Sequence, residues 1–143
     1  MEYVLKWMDF VTEEHLDLRF RILRKGQPRD SAHYIGIDTD EKTRFLGAFY
    51  NENLIGCATL QIDPRDGCKY RIRGMAVESD FRNQGIGTKI VKKLQDLAKT
   101  ENTGIWCNAR IKAITMYERC GFKIISDVFE IEKIGLHYDM EWK

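Results

Sequence analysis

Apolar residues between positions 86 and 98 fall at Ile86, Ile90, Val91, Leu94, Leu97 and Ala98, with Lys89, Lys92, Lys93 and Lys99 interspersed. That spacing is one buried stripe of a 3.6-residue period and predicts an amphipathic helix lying on a sheet. A second helix is predicted over "TEEHLDLRFRILRK", residues 12–25, where Thr12 can cap, acids fill the first turn and arginine and lysine the last. A third, "IKAITMYERC", is stopped by Gly121. Strand-like alternation occupies residues 3–9. "TRFLGAFY" and "LIGCATLQI" flank the turn "NEN" as a hairpin, "DPRDG" reads as the next turn, and a strand follows over 69–78. "GIWCNAR", "FKIISDVFEI" and "LHYDMEW" supply the remaining strands. Residues 26–42 hold no period and read as a long surface loop with a short helical turn. The order β-α-β-β-β-α-β-α-β-β joins an antiparallel half to a strand–helix–strand crossover, so the expected class is α+β: a mixed sheet with helices on its faces.

Composition narrows the function classes. With 143 residues the chain is expected to be a single domain, 1–143. Lys+Arg 23 against Asp+Glu 22 gives no global attraction to nucleic acid or to an anionic membrane, so any anion site must be local. The N-terminal stretch scatters charge through its apolar positions, which argues against a signal peptide or membrane span and for a cytoplasmic protein. Cys57, Cys68, Cys107 and Cys120 are too widely spaced for zinc, and structural thiols are expected. Asp38 and Asp40 are too sparse for a calcium loop, so no metal is expected.

One segment breaks the pattern. "FRNQGIG", residues 81–87, sets two glycines where the helix of 86–98 should begin, and each would weaken a helix interior by roughly 1 kcal/mol. A tight strand-to-helix turn would explain glycine. So would an anion site, because unpaired amides at a helix N-terminus can wrap a phosphate, and Arg82 adds a charged fork. The spacing fits neither common phosphate motif: "GIGTK" lacks GxxxxGK[ST], and Ile90 stands where GxGxxG needs its third glycine.

Arg82-x-x-Gly85-x-Gly87 after a strand ending "GMAVES" resembles the signature loop of the GNAT superfamily of acetyl-CoA-dependent N-acetyltransferases, [Arg/Gln]-x-x-Gly-x-[Gly/Ala]. "NARIKAITMYERCGF" is similar to that family's second block, with Tyr117, Glu118, Gly121 and Phe122 matching. The chain further resembles an uncharacterised subgroup through "LRFRILRKGQP", "RGMAV", "WCNAR" and "IGLH". The resemblance implies a mostly antiparallel, splayed central sheet and acetyl-CoA as cosubstrate, with acetyl passing to a primary amine of a small molecule or peptide. From the charge balance no nucleic-acid or membrane partner is expected, and a homodimer is one option for assembly. A non-catalytic acyl-CoA sensor with the same fold is the alternative.

By the same resemblance, backbone of Met75, Ala76 and Val77 pairs with pantetheine, where the strands at 75–77 and 105–109 splay. Arg82, Asn83, Gln84, Gly85, Ile86, Gly87 and Thr88 surround the pyrophosphate. Asn108 is a cofactor contact or a cap of the next helix. Tyr117 is the general acid toward the coenzyme A thiolate, or a packed aromatic. His137 is the first candidate for general base, since imidazole titrates in the useful range, with a structural histidine as the other reading; His15 and His33 have weaker claims. Arg24 and Arg73, with Arg19 and Arg29, are candidates to hold an anionic acceptor group, and Asp38, Asp40 and Glu41 to hold an amine.

Overall fold

A computed structural model describes residues 2–143. The chain runs β1 (Val4–Met8), α1 (Glu13–Leu23), β2 (Arg44–Tyr50), β3 (Asn53–Arg65), β4 (Cys68–Val77), α2 (Ile86–Thr100), β5 (Gly104–Arg110), α3 (Ile114–Arg119), β6 (Lys123–Ile124), β7 (Phe129–Ile131) and β8 (Gly135–Trp142), with short 3-10 turns between. The strands form an open sheet in the order β1-β2-β3-β4-β5-β8-β6, with β7 also on β8. Among the described residues only β4 and β5 pair in parallel; the other pairings are antiparallel.

Helices cover both faces. The α2 stripe of Ile86, Ile90, Val91, Leu94 and Ala98 packs with Leu46, Leu60, Tyr70, Ile105 and Met140 in the larger core, which Tyr117 and Phe122 close from the α3 side. On the other face Leu18 of α1 meets Leu54, Cys57 and Ala76. Thr12 caps α1 by accepting from the His15 amide at 3.2 Å.

Two expected boundaries move. "DPRDG" is not a turn through its length: β3 continues through Asp63, Pro64 and Arg65, and Asp66 and Gly67 alone turn the chain, both at positive φ. Pro64 is tolerated because the β3–β4 register shifts between Ile62 and Arg65, where no ladder amide is asked of it. "FKIISDVFEI" is not one strand but two, β6 and β7, both lying on β8. The break is polar: the Ser126 hydroxyl accepts from the Asp139 amide at 2.8 Å, in place of a ladder carbonyl.

A bulge positions the site. Ala76 stands opposite Cys57 and Arg73 opposite Thr59, so β4 uses two residues, Gly74 and Met75, where β3 uses Ala58. Gly74 takes φ +56°, and a Cβ there would lie 2.8 Å from the Tyr34 hydroxyl. The extra residue inverts the alternation of β4: Met75 and Val77 join the larger core beside Ala76, which joins the smaller one.

Candidate active site

The parallel ladder between β4 and β5 ends at Ile72 opposite Cys107. Beyond it β4 runs on to Val77 without a β5 partner, while Asn108, Ala109 and Arg110 pair only with β8. The splay therefore separates 73–77 from 108–110, and the part of β5 over 105–107 expected to be open is paired. A cavity of about 760 Å³ opens there.

At one end lies the turn into α2. Asn83 and Gly85 take φ of +62° and +79°, and the helix begins on Gly85 with no side-chain cap and no acid in its first turn. Among the described residues, no amide from Asn83 to Thr88 finds an acceptor; the next donor is Lys89, to Gly85 O at 3.1 Å. Successive free N–H groups in such a turn form an anion-binding concavity at the positive end of the helix. A Cβ on Gly85 would meet nothing within 4 Å, and one on Gly87 only Met116 Cε at 3.9 Å. The absent side chains leave open space instead of relieving a clash. Arg82, Lys112 and Arg119, all exposed, also line the cavity.

Met75, Val77, Arg82, Asn83, Gly85, Ile86, Gly87, Thr88, Asn108, Tyr117, His137, Arg24 and Arg73 all line the cavity. Ala76 and Gln84 do not: Ala76 is buried in the α1-side core and Gln84 is exposed. The Asn108 side chain does not cap the following helix. Its oxygen accepts from Arg71 and its nitrogen donates to Asp139 at 2.5 Å.

Tyr117 is 5% exposed and stacks edge-on against Phe122 at 5.2 Å. Burial, then the Cys107 and Cys120 thiols, hold its phenol well above the ordinary range, so it keeps its proton. Burial pushes the Cys107 thiol up to about 12, which removes it as a nucleophile. His137 is 3% exposed and stacks on Phe129 at 5.9 Å. Its Nδ1 is 2.8 Å from Gly135 O; only a protonated Nδ1 can use that carbonyl, which leaves Nε2 as the basic nitrogen. Burial lowers its pKa, with Arg110 and Arg24 adding to the effect against the Gly135 carbonyl and Asp139. His15 is buried with neither ring nitrogen bonded, and burial and Arg19 drive its pKa down to about 3. His33 is 4.0 Å from Asp38 and does not line the cavity.

Three of the charged candidates, Arg19, Asp38 and Arg29, are committed elsewhere. Arg19 is fully buried, donating to both Asp38 oxygens at 2.7 and 2.9 Å, to Thr59 Oγ1 and to Ala32 O. Arg29 pairs with Asp17 at the surface. Glu78 is held by Arg21 in a bidentate pair at 2.6 and 2.8 Å. Sequence reasoning missed Tyr34 and Arg110, which also line the cavity. The alternation of "WCNAR" carried a signal for Arg110, because it shares a face with Asn108. Among the described residues no group of His, Cys, Asp and Glu could hold a metal, and no helix is long and apolar enough to cross a membrane.

Comparison with known proteins gives a consistent result. The sequence profile described as the acetyltransferase (GNAT) family matches residues 6–122. The uncharacterized N-acetyltransferase YitI of Bacillus subtilis (strain 168) is 34% identical over 133 residues, covering 90% of this chain and 89% of that protein. Among solved structures, Escherichia coli ElaA superposes with a TM-score of 0.79 at 16% identity, covering 100% of both chains. An aminoglycoside 6'-N-acetyltransferase complexed with coenzyme A superposes with a TM-score of 0.78 at 16% identity, covering 97% of this chain and 96% of that one.

Proposed function

The chain belongs to the acetyltransferase (GNAT) family, and from that premise we propose that it passes the acetyl group of acetyl-CoA directly to a primary amine, with both substrates held together at the splay between β4 and β5. The observation that carries this reading is the row of unpaired amides from Asn83 to Thr88 at one end of a cavity that Tyr117 also lines. Bound acetyl-CoA would supply an activated thioester; the rest is asked of this chain.

In this reading the amides of the α2 turn receive the pyrophosphate and Arg82 braces it. Main-chain groups of Met75, Ala76 and Val77, which lack a strand on the β5 side, hydrogen-bond the pantetheine arm. The Asn108 side chain is occupied by Arg71 and Asp139, so Asn108 contributes through its main chain. Tyr117 donates its proton to the departing thiolate, and His137 Nε2 takes one from the amine.

Gly87 gives the cleaner test of the loop, because Gly85 needs its left-handed φ for the turn itself. Gly87→Ala should keep binding and raise stability by up to about 1 kcal/mol through helix propensity. Gly87→Val points its branches into the space reserved for phosphate, and acetyl-CoA affinity should fall by about 30-fold or more with the fold intact. Calorimetric titration alongside thermal melting checks both, and undiminished affinity in a folded Gly87→Val protein removes the phosphate-loop assignment.

His137 faces Arg110 from β5, Arg24 from the end of α1, Phe129 from β7 and Asp139 on its own strand. With its pKa lowered, the neutral base is already present at neutral pH, and activity is lost only as pH falls through that depressed value. The kcat/KM profile should therefore show one inflection below the ordinary imidazole value of about 6.5 and a second set by the amine. His137→Gln should abolish the lower inflection and reduce kcat by about 10²-fold. A variant profile that superimposes on the parent's would transfer the base role to solvent.

A further inference from the structure

We infer that the acceptor amine also carries an oxyanion, a carboxylate or a phosphate, held by Arg24, Arg73 and Arg110 beside His137; this deepens the acetyl-transfer reading and rests on it. The arginines of the described chain divide cleanly. Arg19, Arg21, Arg29, Arg65 and Arg71 each face a carboxylate. Arg44, Arg82 and Arg119 make no ion pair among the described residues but are exposed to water. Arg24, Arg73 and Arg110 are half-buried, line the cavity, and among the described residues make no ion pair; the carboxylate nearest in effect, Asp63 beside Arg73, is held by Arg71.

They also converge. The Arg24 and Arg73 guanidiniums lie over the Tyr34 ring at 5.7 and 5.0 Å. Arg24 Nη1 and Arg110 Nη2 both donate to Leu23 O, at 3.2 and 3.0 Å. Arg24 is the charged neighbour that Arg73, Arg110 and His137 share, and burial followed by nearby arginines disfavours the charge of both Arg73 and Arg110, against a smaller opposing effect of Tyr34 on both and of Asp63 on Arg73. A ring face and a carbonyl compensate such charges in part. Like charges drawn from water into one pocket otherwise raise each other's energy, and an anion relieves all of them together.

The phosphate-binding turn does not compete for this role. It lies at the start of α2 with its own free amides and its own exposed cation, Arg82. The arginine cluster lies where α1, the long loop and the ends of β4 and β5 meet, with His137 opposite Arg110 in the ladder. Guanidinium forks there suit the paired oxygens of a carboxylate or phosphate, and the same field repels polyamines and other polycations. An amino acid, with amine and carboxylate two bonds apart, has the compactness this asks for, and an amino-alkyl phosphate is the other source.

Matched acceptors test the inference: L-amino acids against their α-carboxamides, and phosphoethanolamine against ethanolamine, each with acetyl-CoA and with free thiol as the readout. A preference of about 10-fold or more in kcat/KM for the charged member of either pair is expected, and the pair that shows it identifies the anion. Arg73→Gln and Arg24→Gln should each raise KM for that acceptor by about 10- to 100-fold, shrink the preference toward unity, and leave acetyl-CoA affinity unchanged. Neutral members used as well as, or better than, charged ones would overturn the anion site and leave acetyl transfer standing. Absence of thiol release with every amine would overturn both.

Discussion

Tyr117→Phe is expected to keep the fold and the affinity for acetyl-CoA while kcat falls by about 10²-fold, equivalent to roughly 2.7 kcal/mol of barrier. The ring is retained, so the contact with Phe122 at 5.2 Å and the packing beside Cys107 survive. What disappears is a proton that the site guards well, since burial and two neighbouring thiols keep the phenol un-ionised. The loss is bounded because a thiolate of intrinsic pKa about 8.5 leaves fairly well without help. Steady-state and single-turnover rates, with calorimetry for binding, check the result. An unchanged single-turnover rate would leave Tyr117 a packing residue.

Asp38→Ala is expected to cost about 3–5 kcal/mol of stability, lowering the thermal midpoint by roughly 10–20 °C. The substitution strands the fully buried Arg19 guanidinium, and it also removes the acceptor of the Tyr34 amide at 2.8 Å. Those bonds fix the loop between α1 and β2 and hold Tyr34 against the β4 bulge, so the arginine end of the cavity should loosen as well. Replacing both partners with apolar residues, Arg19→Met with Asp38→Leu, should cost markedly less, because no charge is left buried alone. Thermal or denaturant unfolding of the single and double variants checks this. Equal losses in both would show that packing, and not the ion pair, holds the loop.

Local signals made much of this protein legible in its sequence. The period of Ile86 to Ala98, the Thr12 cap, the Gly121 stop and the glycines before α2 are each written within a few residues, and each corresponds to an observed feature. Long-range features left no such mark. Arg19 and Asp38 are nineteen positions apart in the chain, with no period linking them, so Arg19 read as a candidate to hold an anionic acceptor group and Asp38 as one to hold an amine. The β4 bulge inverts strand parity at Gly74, which puts the facing of Met75 and Arg73 beyond simple alternation. Pro64 suggested a turn because the register shift that accommodates it belongs to the pairing of two strands, not to the segment. The segments "LRKGQP", "RGMAV", "WCNAR" and "IGLH" are scattered along the chain, yet Arg24, Arg73, Arg110 and His137 from them line one cavity.

Acetyl transfer is tested most directly by following the acetyl carbon itself. The whole chain would be incubated with acetyl-CoA labelled with carbon-13 at the acetyl carbonyl and with the acceptor panel above, while NMR follows the carbonyl and a thiol reagent follows coenzyme A. The account predicts an amide carbonyl signal that grows in step with free thiol, in equal amounts, and only when an amine is present. Label recovered solely as acetate, or acetyl-CoA bound and returned intact with every amine, would contradict it and leave a thioesterase or an acyl-CoA sensor in its place.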